Sequence, residues 1–438
     1  SESSVGIMGK IKPKERDAIL MSLSVGLVPK IGLQHIQVGR DDEIAAIVTD
    51  LERIKDDGTA IRFIIGRYGS GKSFFLTLSR IVALDRKFVV AHADISQGHL
   101  LYSTQGKARA LYSELMHNLS VKARPDGGAL KSIIERYISD VDYKLRSEGK
   151  DNKQILSQIH NDLKEDLQNY VNGYDFELVL TKYFEGFESG NDELMDASLR
   201  WLYGEYPTKT DAQRDLKVRT IIDDSNYYNY LKLWARFVRK AGYSGFLVTL
   251  DEMGAISHHL NVAQSRNSNY KTILDILNDC IQGSTSGIGF IFAGTDDFLD
   301  DSHHGVASYP ALDYKLRENP LEKMIAPDLK NSRSPVIKLG NLSPEDTYLL
   351  LENIRDVFAN GDTEKYLVTD EGMKAFLTKC SKILGSDFYM NPRETVKSFV
   401  KFLSLLETHP DRSWKDILKQ DSSIIKKNPT GDLANLKL

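Results

Sequence analysis

The chain has 438 residues, with 57 Lys and Arg against 61 Asp and Glu, and a formal net charge of −4. Hydrophobic residues make up 41% and charged residues 27%. That balance excludes a disordered chain too poor in apolar side chains to bury a core, and a polybasic nucleic-acid binder. Cys280 and Cys380 are the only cysteines. Two cannot build a disulfide framework or a cysteine zinc site, and they read as buried thiols of a reducing, cytoplasmic compartment. Residues 1–30 read as an N-terminal arm or helix, with Lys10, Lys12, Lys14 and Arg16 as a small solvated basic cluster. Ser1–Ser4 does not open a basic region followed by an apolar one, so no signal peptide is expected. A start at Ser implies trimming, with Met8 as a candidate natural start.

Short runs rich in β-branched and aromatic residues predict strands at Ile61–Ile65, Phe88–Ala91, Phe246–Leu250, Ile288–Phe292 and Val336–Leu339. None of the apolar runs is long enough to span a bilayer, so no membrane association is expected. Helical patterns lie between the strands, at Asp42–Lys55, Lys72–Leu84, Lys107–Leu119, Ser225–Ala241 and Asn269–Ile281. This alternation predicts an α/β domain with a parallel sheet, over residues 31–340. Residues 128–215 interrupt it as a helical insertion, with helices expected at Ala129–Arg146, Lys153–Tyr170 and Leu194–Tyr203. Residues 131–215 hold 11 Lys and Arg against 18 Asp and Glu, a net of −7 that leaves +3 for the rest of the chain. The insertion is therefore acidic, and a DNA-facing surface is expected on the remainder.

After Leu339 the pattern is helical only. Ser343-Pro344-Glu345-Asp346 combines an N-cap Ser, Pro at the first helical position and acids in the first turn. Asn391-Pro392-Arg393-Glu394 repeats that logic. Helices over 343–359, 369–383 and 391–408 predict a small lid domain, residues 341–410. Residues 411–438 read as a tail. The aromatics Tyr227, Tyr230, Trp234 and Phe237 fall at helical spacing and read as a buried face.

Gly66-Arg67-Tyr68-Gly69-Ser70-Gly71-Lys72-Ser73, followed by Phe74, joins a predicted strand to a predicted helix. Glycines let backbone N–H groups wrap a phosphate chain, and the helix N-terminus adds partial positive charge. Lys72 would reach the terminal phosphates, and the Ser73 hydroxyl would ligate Mg2+. ATP or ADP and Mg2+ are the cofactors this implies. The strand Phe246–Leu250 runs into Asp251-Glu252. Asp251 would hold the metal through water, and Glu252 would orient and polarise an attacking water.

These motifs join others in a recognisable order. Val38-Gly39-Arg40-Asp41-Asp42-Glu43 resembles the box that opens the ATPase domains of the origin-recognition (Orc/Cdc6-like) and signal-transduction branches of AAA+ proteins. The resemblance implies a P-loop αβα sandwich with a C-terminal helical lid, and places Gly39 and Arg40 near the adenine. It implies a polar sensor at the end of the fourth strand, Thr295 or else Asp296. It implies a lid arginine at Arg393, and an arginine finger acting across an oligomer at Arg317, with Lys315 as a stand-in. Leu27-Val28-Pro29, His35-Ile36-Gln37, the phosphate loop and Gly242-Tyr243 narrow the likeness to BrxD-like ATP-binding proteins of BREX phage-defence clusters, over most of residues 10–410. From that family follow expectations of double-stranded DNA and of a helicase or other defence-complex protein as partners. Members of the Orc/Cdc6 branch end in a winged-helix domain, for which too few residues remain here.

Three functions stay open at this point. One is an ATP hydrolase driving DNA processing. A second is a slow nucleotide switch or loader. The third is a metal-dependent nuclease built on His258-His259, Asp296-Asp297, Asp300-Asp301 and His303-His304; those residues read equally as two polar loops at the sheet's edge.

Overall fold

The computed structural model describes residues 11–68, 70–283, 285–317, 320–325, 333–385 and 392–419. Gly69, Lys10, Asn391 and residues 420–438 lie outside them. From the N-terminus come α1 (Pro13–Ser24), α2 (Asp41–Lys55), β1 (Thr59–Gly66), α3 (Lys72–Asp85), β2 (Phe88–Asp94) and α4 (Lys107–His117). The insertion then supplies α5 (Leu130–Ser147), α6 (Asn152–Leu167), α7 (Gly173–Ser189), α8 (Asp192–Leu202) and α9 (Lys209–Leu216). Next are α10 (Tyr227–Lys240), β3 (Gly245–Asp251), α11 (Gly254–His259), α12 (Ala263–Gln282), β4 (Ile288–Gly294), α13 (Asp296–Asp300), α14 (Pro310–Leu316), α15 (Pro320–Ile325) and β5 (Val336–Leu339). The chain closes with α16 (Pro344–Phe358), α17 (Asp370–Leu384), α18 (Pro392–Thr408) and α19 (Trp414–Lys419). Two compact units result. The larger comprises described residues of 41–67 and 75–339, and the smaller those of 1–40, 68–74 and 340–438.

In the larger unit the strands pair in the order β2-β3-β4-β1-β5, all parallel. Parallel strands need crossovers, and the crossovers bury both faces of the sheet. Alternate side chains sort accordingly. Phe63, Val89, Val248 and Phe292 enter one core cluster, while Ile64, Val90, Leu247 and Ile291 enter another with Ile47 and Leu51 of α2 and Phe75 and Leu76 of α3. This is an α/β fold with the five-stranded parallel sheet of a P-loop αβα sandwich, as expected. All five expected strands are present, and four run further than their apolar cores. The charged Arg62 is tolerated inside β1 because Asp50 takes it in a two-pronged pair, at 2.7 and 3.0 Å, while Ser334 O accepts a third bond at 2.6 Å.

The acidic insertion shares the sheet's core. Ile133, Ile159, Phe176, Tyr183 and Trp201 belong to the same cluster as the strand residues Phe246 and Phe290. Helix α7 was not anticipated: it buries the polar Asp175, Glu177 and Thr181 among its apolar side chains, which blurs the apolar stripe in the sequence. Helix α12 starts before the expected Asn269, through a polar run that reads as loop. Asn269 is itself fully buried, its side-chain oxygen accepting from the N–H groups of Leu101 and Tyr102 at 3.0 Å each. The aromatics of α10 form a buried face, as expected.

In the smaller unit the cap of α16 forms as read. Ser343 Oγ accepts from Asp346 N at 3.0 Å, and Asp346 Oδ2 accepts from Ser343 N at 3.3 Å. Phe376 and Phe402 stack with centroids 5.3 Å apart. Helix α1 belongs to this unit, where Arg16 donates to Phe358 O at 3.0 Å and His35 meets Glu15 at 2.7 Å. Helix α19 lies within the segment read as tail. Both cysteines are buried, and burial pushes each thiol up to about 12. Among the described residues no helix is long and apolar enough to cross a membrane.

Candidate functional site

The expected site residues fall into two groups, one in each unit. In the smaller unit lie Tyr68, Ser70, Gly71, Lys72, Ser73 and Phe74 of the phosphate loop, with Gly39, Arg40 and Arg393. Gly69 is outside the described residues. Gly71 has φ +85°, a conformation that side chains with a Cβ rarely adopt, and open space where that Cβ would stand. The Ser70 hydroxyl is buried and has no hydrogen-bond partner among the described residues. A loop with left-handed backbone, a buried unmet hydroxyl and the N-terminus of the 14-residue α3 fits a phosphate chain.

Arg40 holds that loop. Its Nη2 donates to Ser70 O at 2.7 Å and to Gly340 O at 2.7 Å, with the residue 8% exposed. Gly39 before it is left-handed (φ +70°), and a Cβ there would stand 2.8 Å from Asp346 Oδ2. The pair is thus fixed against the capped start of α16. Arg393, in the first turn of α18, lies with its guanidinium carbon 5.9 Å from the ring centroid of Tyr68, itself exposed. Arg40→Ala removes charge-assisted bonds to two backbone carbonyls. ATP affinity should fall by about tenfold or more, read with a fluorescent nucleotide analogue. Arg40→Lys should restore only part of it, since one ammonium lacks the planar fork.

In the larger unit lie Gly66, which ends β1, Arg67, and the ends of β3 and β4. Asp251 ends β3 and is 6% exposed. Its carboxylate accepts from Glu252 N at 2.7 Å, its carbonyl accepts from Ile95 N at 2.9 Å, and Met253 N donates to Ala293 O at 3.0 Å. The chain is thus stitched to both neighbouring strands on either side of Glu252. Glu252 itself has φ +58°, a left-handed conformation uncommon for a residue with a Cβ. Bonds on both sides hold this strained conformation in place.

Thr295 stands at the N-cap of α13, its side chain making no capping bond. Its hydroxyl is 3.7 Å from where a Cβ of Gly254 would lie, at the start of α11. Asp296 meets Arg67 at 3.6 Å, with Arg67 exposed and Asp296 partly so. Arg317 is exposed and paired with Asp313 one turn back, and Lys315 is exposed beside it. His258 and Asp297 approach to 3.7 Å, but among the described residues no group of three or more His, Cys, Asp or Glu is arranged to hold a metal ion. The Asp251 carboxylate is an oxygen donor of the kind that hard cations prefer.

Residues outside the motifs join the strand ends. Asp94 pairs in register with Asp251, and His92 with Thr249. Arg80 of α3 feels the charges of both Asp251 and Asp94. The signal available beforehand was the polar continuation His92-Ala93-Asp94 after an apolar run, and an arginine two turns along the helix that opens at Lys72.

A parallel αβα sandwich whose first strand feeds a glycine-rich loop and a helix, and whose third ends in buried Asp251, defines a P-loop nucleotide-binding protein. The family model of the BREX system ATP-binding protein BrxC/D matches residues 11–422, and the chain belongs to that family of phage-defence ATP-binding proteins. No curated protein matches the chain.

Proposed function

We propose that the chain is a Mg2+-dependent ATPase of the AAA+ class, acting within a BREX-type DNA-processing complex. The observation that carries hydrolysis, as distinct from binding, is the left-handed Glu252 directly after buried Asp251. Mg2+ would supply charge neutralisation on the phosphates. Ser73 and Asp251 are the residues to hold it. Lys72 and the loop's N–H groups grip the phosphates, and Arg40 keeps the loop in shape. Glu252 accepts a proton from the attacking water and orients it. Thr295 reads the terminal phosphate, and Arg393 reports nucleotide state from the lid. In this reading residues 31–340 are the nucleotide-binding domain, 128–215 its insertion and 341–410 the lid. The insertion's net charge of −7 suits a protein partner such as a helicase, and DNA contact falls to the rest. The protein is taken to be cytoplasmic.

One observation favours a second reading, a slow switch or loader. Arg317 is paired with Asp313 of its own helix, which leaves it engaged at home. A trans-acting arginine would have to leave that pair in a homo-oligomer. The test is the ATPase rate with and without double- and single-stranded DNA, with particle mass measured in ATP on the same samples. Turnover stimulated by DNA in an oligomer supports the motor. Tight binding with negligible turnover supports the switch. A protein that binds no ATP, and that Lys72→Ala leaves unaltered, sinks both.

A further inference from the structure

Asp251 does not end its strand alone. Asp94 stands opposite it on β2, and His92 opposite Thr249. Val90 and Leu247 face α2 and α3. Residues two and four further along each strand share that face, so His92, Asp94, Thr249 and Asp251 all lie on the side of the sheet covered by α2 and α3. They form a polar strip. His92 Nδ1 is 2.8 Å from Thr249 Oγ1, and its Nε2 is 3.3 Å from Asp94 Oδ1.

Arg80 of α3 is near enough to this strip to feel the charges of Asp251 and Asp94. Its Nη2 donates to Thr77 Oγ1 at 3.2 Å, while its Nη1 is buried with no hydrogen-bond partner among the described residues. Burial lowers its pKa, and the charges of Asp251 and Asp94 oppose that fall. Two carboxylates at adjacent strand ends repel each other, and together they are a donor set for a hard divalent cation. A guanidinium fixed nearby supplies the positive charge instead.

We propose that Arg80 is the resident counter-charge of the Asp94–Asp251 pair, holding it against capture of a divalent cation until that cation arrives with the nucleotide. It is a positioning residue, and its assignment rests on the ATPase reading of Asp251. The consequence is an order of binding. Without nucleotide the pair is already neutralised in part by Arg80. With nucleotide, the phosphates add the negative charge and the oxygen ligands that make the metal's binding favourable.

The test is Mn2+ binding by the full chain, followed by electron paramagnetic resonance without nucleotide. Arg80→Met should bind Mn2+ at least about tenfold more tightly than the wild type, about 1.4 kcal/mol. Arg80→Lys, which keeps the charge, should stay near wild type. Adding Asp94→Asn to Arg80→Met should remove the gain. Arg80→Gln should gain as much as Arg80→Met, and it serves if the Met variant fails to fold. Folded Met or Gln variants with unchanged or weaker Mn2+ binding overturn the proposal. A Lys variant that gains as much as the Met variant also overturns it, since lost packing and not lost charge would then be the cause. The underlying reading has its own control. Wild type must bind Mn2+ in the presence of ATP, and Asp251→Asn must lose most of that binding. If that control fails, the ATPase reading falls; if it holds and the Arg80 variants do not move, only the counter-charge falls.

Discussion

Glu252→Gln should lower ATP turnover by about 100-fold or more while leaving nucleotide affinity within a few-fold of wild type. Glu and Gln are nearly the same size and have similar backbone preferences, so the left-handed conformation at this position is kept. What changes is the ability to accept a proton from water. Main-chain N–H groups donating to Asp251 Oδ1, Asp251 O and Ala293 O help to hold the segment, and the substitution touches none of these three bonds. A loss of turnover with retained binding therefore isolates the proton acceptor. Single-turnover hydrolysis and equilibrium binding on the same preparation check it. If turnover persists within tenfold, Glu252 is not the acceptor and the base must be sought elsewhere. If binding falls along with turnover, the segment has a structural role. Asp251→Asn should behave differently, raising the Mg2+ concentration needed for binding. Lys72→Ala should weaken the binding itself.

Much of this was legible in the sequence, for a physical reason. Parallel strands are largely apolar runs, and all five stood out, although β1 holds Arg62 and the edge strand β5 holds exposed Lys338. The phosphate loop was legible because its glycines and its Lys72-Ser73 pair sit at fixed spacing. Strand ends were harder. His92 and Asp94 continue β2 although they are polar, because register with β3, and not local propensity, sets its length. Arg40 could be named from its box, but its bonds to Ser70 O and Gly340 O join residues 30 and 300 positions away. No local pattern reports such a partner. Arg80 was missed for the same reason: on α3 it reads as one more exposed arginine. The insertion was read correctly as helical and acidic, and its role in the core was not, since side chains shared with the sheet come from residues far apart in the chain.

That shared core makes a stability prediction with a large expected effect. Trp234→Ala should destabilise the protein by about 3–5 kcal/mol. Trp234 is fully buried on α10 and meets the rings of Phe176 and Phe237 edge-on, with centroids 5.3 and 5.9 Å away. Its Nε1 donates to Tyr112 Oη at 2.9 Å, and that hydroxyl donates in turn to Leu202 O at 2.8 Å. One side chain thus ties α10 to α4, to the insertion's α7 and, through Tyr112, to the end of α8. Burial holds the Tyr112 hydroxyl protonated by pushing its pKa well up, so the relay stays intact at neutral and moderately alkaline pH. Truncation opens a cavity in this cluster and removes the donor from Tyr112 Oη. Trp234→Phe should cost less, because the ring contacts survive in part and only the indole N–H is lost. Urea unfolding followed by hydrogen exchange resolved along the chain is the measurement. A single core requires the strands Phe246–Leu250 and Ile288–Phe292 to lose protection together with α7 and α8. If the insertion loses protection while those strands keep theirs, the insertion is an independent module. The reading of its acidic surface as a partner platform would then concern a detachable element. Loss of both together means that a partner binding the insertion acts on the same core that supports Asp251 and Glu252.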